Sequence, residues 1–167
     1  MKSNSMRDIY LEKVVLHGST ADQPKLEKYF KLLKILSGKQ PVKTMATERI
    51  PVFKVRPGLP IGCRVTLRKE EASNILKTVL TGLTELEESC FGNGYLNFGI
   101  KEYIEIPTIQ FQRDIGILGF DVSAVLKRRG FKIKDKKRAK GKIGKKHRIS
   151  REETVEFFKK NFNVKIK

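Results

Sequence analysis

Apolar residues recur at helical spacing in two long segments of this chain. Residues 22–37 carry large apolar side chains three or four positions apart, and residues 70–88 repeat that pattern. A third helix is predicted over residues 150–162, because Ser150 and Glu153 have the spacing of a capping box. The apolar side of each long helix is expected to belong to the core of the protein.

Shorter segments alternate between apolar and polar residues, as strands with one buried face do. Residues 56–62 hold two prolines and two glycines, which predicts a stiff loop between two of these strands. Short gaps between several strands favour antiparallel pairing. We therefore expect an α+β fold: an antiparallel sheet with helices packed on one face, plus a basic loop and a C-terminal helix. The predicted strands are residues 7–16, 63–68 and 118–126, with a turn followed by a strand over 94–105 and a further strand that starts at Phe131 and Ile133. Residues 42–48 and 51–55 are predicted as extended segments.

Positive charge is concentrated toward the C-terminus. The formal net charge of the 167 residues is +18, of which residues 1–126 contribute only +4. Residues 127–148 hold thirteen Lys or Arg residues and one acid, Asp135, which gives them a net charge of +12. We expect one domain made of three parts. The domain spans residues 1–167, and its parts are a globular body (7–126), a basic segment (127–149) and a C-terminal helix (150–162).

The charge of the basic segment indicates a polyanionic partner. Cations at this density cannot be buried, and they repel one another until phosphates neutralise them and release counterions. Three glycines and few large apolar residues predict a mobile segment that becomes ordered on nucleic acid. Stacking aromatics are not interleaved with the cations, which favours contact with the RNA backbone. The candidate RNA-binding residues are Lys127, Arg128, Arg129, Lys134, Lys136, Lys137, Arg138, Lys140, Lys142, Lys145, Lys146, His147 and Arg148.

The sequence gives little support for catalysis or for metal binding. His147 has no adjacent carboxylate to orient it, and the two cysteines, Cys63 and Cys90, lack metal-ligand spacing. We predict no catalytic residue, no metal, no cofactor and no small-molecule substrate. Reduced thiols favour an intracellular location, and no apolar run has the length of a membrane span. Two alternatives stay open: an RNA-processing factor, and a peripheral protein that binds anionic membranes through the basic segment.

Five motifs carry a resemblance to a known family. They are SGKQPV (37–42), FKVRPGLPIGCRVTLR (53–68), NFGIKE (97–102), IGILGFD (115–121) and the basic stretch from Gly130 to Ser150. In this order they resemble the universal L5 family of large-subunit ribosomal proteins, called L11 in eukaryotes. The last stretch is similar to the eukaryotic and archaeal branch.

The resemblance implies a structural, non-enzymatic constituent of the large ribosomal subunit. Its partners would be 5S rRNA and neighbouring large-subunit rRNA in the central protuberance, adjacent large-subunit ribosomal proteins, and P-site tRNA, but no membrane. It implies a cytoplasmic ribosome location, with nuclear or nucleolar assembly in a eukaryote. The family contacts 5S rRNA through the loop after its first strand, its first helix and one sheet surface, which here map to about residues 16–34. Lys25, Lys28 and Lys31 would contact phosphates, and Arg64 and Arg68 are further candidate rRNA-binding residues. The loop facing tRNA would include Lys54, Arg56, Pro57, Gly58 and Leu59.

Overall fold

The computed structural model describes residues 4–83, 85–107 and 109–166, and these form an α+β fold. The strands of these residues are β1 (Ile9–Ser19), β2 (Val42–Met45), β3 (Pro60–Arg68), β4 (Phe91–Gly92), β5 (Tyr95–Ile100) and β6 (Phe120–Arg128). Their α-helices are α1 (Gln23–Ser37), α2 (Lys69–Thr81), α3 (Lys132–Asp135) and α4 (Arg151–Phe162). The strands form one sheet in the order β2-β3-β1-β6-β5-β4, and each neighbouring pair is antiparallel. The predicted fold class is confirmed.

One face of the sheet is covered by α1 and α2, and the other is open except where α3 and the basic segment cross β5 and β6. Along β1, β3 and β6 every second side chain is buried, as Val14, Leu67 and Ala124 illustrate. Helix α1 packs mainly on β3, and α2 packs mainly on β1. Burying these apolar side chains stabilises the fold by roughly 1.5–3 kcal/mol for each large one. The residues between them therefore face outward and are available for binding.

Helix ends follow the local sequence closely. Helix α1 has Pro24 in its first turn and ends at Gly38, whose φ of 64° suits a residue without a Cβ. Asp22 occupies the N-cap position, although its side chain makes no capping hydrogen bond. Helix α4 begins with the predicted capping box: Ser150 Oγ accepts from the Glu153 N–H, and the Glu153 carboxylate accepts from the Ser150 N–H.

Helix α2 is shorter than the sequence predicts. The prediction of helix through residue 88 is wrong, because α2 ends at Thr81 and Gly82 follows it as the C-cap. Leu86 is nevertheless buried, and its N–H donates to the Lys165 carbonyl at 3.0 Å. Its apolar character therefore reflects contact with the C-terminal segment and not a further helical turn.

Predictions for four further segments are also wrong. Residues 94–105, predicted as a turn followed by a strand, contain β5 only as far as Ile100, and Tyr103–Glu105 form a 3-10 turn. Residues 51–53 form a 3-10 turn instead of a strand, since Pro51 has no N–H for a ladder bond. The predicted stiff loop 56–62 is shorter, because β3 already begins at Pro60. Phe131 and Ile133 do not begin a strand but lie at the start of and within α3.

Candidate nucleic-acid interface

The open face of the sheet presents cationic, polar and aromatic side chains in rows. Lys13 lies opposite Arg68 on one side and Val125 on the other. His17 lies opposite Arg64 in the same register. Arg64 and Arg68 are exposed, because their neighbours along β3 point into the covered core. Both side chains therefore lie on the open face of the sheet.

A β-bulge brings an acid onto the edge of this face. The register of β1 against β6 shifts between Leu11 and Lys13, which leaves Glu12 as the extra residue. The Lys127 ammonium lies 2.7 Å from the Glu12 carboxylate and 2.5 Å from that of Asp135. Burial by itself would lower the pKa of Lys127, but its bonds to these two acids outweigh burial and raise that pKa. Lys127 is thus a structural cation that joins β6 to α3.

The basic segment follows a path along the structure that contacts fix at several points. The Gly141 N–H donates to the Ile133 carbonyl at 3.3 Å, so the chain folds back on α3. A Cβ at position 141 would lie 2.4 Å from Ile133 Cγ2, so any other residue there would require Ile133 or the backbone to shift. The His147 ring bonds to the Arg129 carbonyl at 2.9 Å and packs edge-on against Phe131.

Arg128 is the one predicted RNA contact that the fold buries. Its side chain is 7% exposed and its guanidinium lies 2.5 Å from the Glu153 carboxylate. The same guanidinium donates to the Arg148 carbonyl at 3.2 Å. Arg128 therefore fastens the end of the basic segment to α4, and the prediction that it contacts RNA is wrong for this geometry.

The other cations of the basic segment face solvent. Eleven of the thirteen Lys and Arg residues in 127–148 remain after Lys127 and Arg128 are set aside, and all eleven are exposed. Within the described residues, none of these eleven forms an ion pair with an acid. Most of the predicted contacts are thus concentrated on one continuous piece of chain. They are Arg129, Lys134, Lys136, Lys137, Arg138, Lys140, Lys142, Lys145, Lys146 and Arg148, to which the structure adds Lys132.

The lysines of α1 lie on the other side of the sheet. Helix α1 packs on the covered face, so its outward side chains point away from Arg64 and Arg68. Lys25 is exposed but forms an ion pair with Asp22 at 3.2 Å. Lys28 is half-buried and Lys31 is exposed. The structure therefore separates the predicted contacts into two groups, one on α1 and one shared by the open face and the basic segment.

The loop between β2 and β3 continues the hairpin beyond the sheet. Backbone bonds join Ala46 to Leu59 and Gly58, and Ile50 pairs with Val55 further out. Lys54, Arg56, Pro57 and Gly58 are exposed, whereas Leu59 is half-buried. This ladder holds the tip of the loop, Pro51–Phe53, away from the body.

Two residues at that tip were missed by the sequence analysis. Val52 is 85% exposed and Phe53 is 65% exposed. A large apolar pair left in solvent at the end of a hairpin is a candidate contact surface. The available signal was Pro51 followed by two apolar residues and a lysine, a pattern that favours a turn over a buried strand.

Two observations bear on the alternative functions. No group of three or more His, Cys, Asp or Glu side chains that could hold a metal ion occurs among the described residues. In the described ranges, no helix has both the length and the apolar character needed to cross a membrane.

Cys63 is buried, and burial raises the pKa of its thiol to about 11.

Fold and surface together define a small α+β protein with a concentrated, unneutralised cationic surface, which is the class of structural RNA-binding proteins. Residues 60–157 match the model for the C-terminus of the ribosomal L5 protein family. The large ribosomal subunit protein uL5 of Sulfolobus acidocaldarius is 40% identical, over 99% of this chain and 94% of its own length. The proteins of the same description from Nanoarchaeum equitans and Methanoregula boonei are 38% and 34% identical, over 96% and 97% of this chain and 97% and 100% of their own lengths.

The chain belongs to the ribosomal L5 family. It is a structural, non-enzymatic constituent of the large ribosomal subunit, and the predicted family is confirmed. Family membership implies a ribosome-associated, cytoplasmic location and binding to rRNA and to other ribosomal proteins.

Proposed function

We propose that this protein binds 5S rRNA and neighbouring large-subunit rRNA in the central protuberance, and that its β2–β3 loop reaches toward P-site tRNA. The observation that carries the proposal is a set of eleven exposed cations in the basic segment, none of which pairs with an acid in the part of the chain that the structure describes. Arg64 and Arg68 extend that surface over the open sheet face, while Lys25, Lys28 and Lys31 form a second surface on α1. Arginine can fork to a phosphate, and lysine acts there as a point charge.

The test measures binding of the purified full chain to 5S rRNA between about 50 and 200 mM salt. Six to ten phosphate contacts should lower the affinity by about three to five decades over that range. Recovery of 5S rRNA in stoichiometric amounts with the native protein would identify the RNA directly. A salt-insensitive affinity, or no binding at the lowest salt, contradicts the proposal.

A charge-matched pair of variants locates the interface. One variant changes four exposed lysines of the basic segment to glutamine, and the other changes four exposed lysines elsewhere, so both lose the same net charge. The first should flatten the salt dependence by about one unit of slope per lysine, whereas the second should leave it nearly unchanged. Equal effects would show that binding follows net charge alone. The two sets are Lys136, Lys137, Lys145 and Lys146, and Lys77, Lys101, Lys159 and Lys160.

A further inference from the structure

A cleft lies where the basic segment crosses the outer strands of the sheet. Two adjoining cavities of about 460 and 450 Å³ share five wall residues, and we call the pair the Phe131 cleft. Cavities of this size accept a small organic group. The shared wall residues are Asn93, Gly94, Leu126, Phe131 and Lys134.

The charges of the Phe131 cleft suit a phosphate. Lys134, Lys142 and Arg148 line it, and within the described residues none of the three is paired with an acid. Asp135 also lies on the wall, but its carboxylate bonds to Lys127, and that bond holds the pKa of Asp135 below its usual value. The acid is therefore neutralised internally, and the cleft keeps a net positive charge.

The uncharged walls of the cleft suit a base. Tyr95 and Phe131 are the aromatic residues of the wall, and the Tyr95 ring lies over the backbone of Gly92 on the neighbouring strand. A nucleobase can stack on an aromatic side chain. Asn93 and Asn97 add amide groups that make no side-chain hydrogen bond to the described part of the protein. Amide side chains of this kind can bond to the edge of a base.

We propose that the Phe131 cleft binds one unpaired nucleotide of RNA, with the base against Tyr95 and Phe131 and the phosphate near Lys134, Lys142 and Arg148. This inference rests on the proposed RNA binding and adds a specific site to it. Bases within a duplex are stacked and cannot enter a concave pocket, whereas unpaired bases can be stacked on aromatic side chains. The cleft therefore complements the backbone contacts made by the rest of the basic segment.

The test uses the full chain with a single-stranded RNA octamer of mixed sequence that contains 4-thiouridine, and with a 12-base-pair RNA duplex. Tyr95→Ala should weaken octamer binding by about five- to 150-fold, as expected when one base loses its stacking partner. Tyr10→Ala is the matched control, because Tyr10 is 44% exposed against 46% for Tyr95 and lies on the same face outside the cleft. Tyr95→Phe should keep most of the affinity, since it keeps the ring.

Photocrosslinking identifies the site independently of affinity. The thiouridine should crosslink to Tyr95 or Phe131 in the octamer and not in the duplex, as mapped by mass spectrometry. Equal losses for Tyr95→Ala and Tyr10→Ala, or equal crosslinking of duplex and octamer, would overturn the proposal. Competition by free UMP at micromolar concentration would also overturn it, because the ligand would then be a metabolite and not RNA.

The same protein samples are titrated with 5S rRNA, which separates the two proposals. If 5S rRNA binds tightly and Tyr95→Ala binds the octamer as well as wild type does, the cleft proposal is refuted and the proposed function stands. If octamer binding depends on Tyr95 but 5S rRNA does not bind, the cleft proposal stands and 5S rRNA is refuted as the partner.

Discussion

The ion pair between Arg128 and Glu153 should be the most sensitive polar contact in the fold. Changing Glu153→Gln leaves the Arg128 guanidinium in place, 7% exposed, with only the Arg148 carbonyl as a remaining acceptor. Removing one partner of a fully buried pair costs about 3–5 kcal/mol. The Glu153 side chain is 38% exposed, so water partly replaces it, and we expect a loss of about 2–3 kcal/mol.

That loss should appear in equilibrium unfolding by urea and in thermal unfolding followed by circular dichroism. For a chain of this length, about 2–3 kcal/mol corresponds to a Tm lower by about 4–12 °C. Glu156→Gln is the control on the same helix, because Glu156 is exposed and unpaired within the described residues, and it should change stability by less than about 0.5 kcal/mol. The reasoning fails if both glutamine variants unfold alike.

The double variant Arg128→Met with Glu153→Gln distinguishes the attraction between the two charges from the cost of burying Arg128 without a partner. Replacing both charged partners removes the uncompensated cation, so the double variant should be more stable than Glu153→Gln alone. A double-mutant cycle should give a coupling free energy above about 1 kcal/mol. Purely additive losses would show that the two residues act independently.

The pH dependence of stability provides a second check on the same pair. Burial alone would raise the pKa of Glu153, but bonds from the Ser150 N–H and the Arg128 guanidinium outweigh burial and lower that pKa. A carboxyl with a lowered folded-state pKa stabilises the fold above its unfolded pKa, near 4.5, and loses that contribution as the pH falls through the folded pKa. The stability gap between wild type and Glu153→Gln should therefore be full at pH 7 and shrink below about pH 4.5. A gap that widened in acid would refute the assignment.

Three further predictions concern other parts of the chain. Gly141→Ala should disturb the fold-back of the basic segment, because the added Cβ would meet Ile133, and amide hydrogen exchange in the segment should become faster. Gly144→Ala is the control and should leave the exchange rates unchanged, because the space around Gly144 is open. Phe53→Ala should leave the affinity for 5S rRNA unchanged and weaken tRNA binding to reconstituted ribosomes. A loss of 5S rRNA affinity would instead show that the β2–β3 loop contacts 5S rRNA. At pH 8 a thiol reagent should modify Cys90 well before Cys63, whose pKa of about 11 and burial keep it protonated; equal rates would contradict that burial.

Periodicity identified the elements whose apolar faces pack on one another. Residues 22–37 and 63–68 have regular patterns, and they appear as a helix and a strand close to the predicted bounds. The sequence also predicted the C-cap of α1 and the N-cap of α4, because Gly38 and the Ser150–Glu153 pair act through neighbouring backbone groups. Local signals of this kind depend on a few adjacent residues, and for that reason a sequence alone reveals them.

Long-range contacts produced the errors. The apolar pattern continues beyond α2, but the helix ends at Thr81, and Leu86 pairs with the C-terminal segment instead. Arg128 looked like its cationic neighbours in sequence, and only the approach of Glu153, 25 residues later, buries it. The bulge at Glu12 arises from strand pairing, and the Phe131 cleft arises where the basic segment packs on β5 and β6; no local pattern specifies either.

The defined path of the basic segment changes the expected thermodynamics of RNA binding. A disordered tail of the same charge would lose conformational entropy when it became ordered on RNA, and its affinity would fall accordingly. Here the Lys127–Asp135 bond, the Arg128–Glu153 pair and the Gly141–Ile133 contact hold the chain at three points while the remaining cations stay exposed. Two cations take part in these contacts, and the other eleven remain available to phosphates. Because their backbone is already positioned, binding should lose less conformational entropy. Loosening Gly141 should therefore weaken RNA binding without changing the net charge, and this effect distinguishes preorganisation from charge alone.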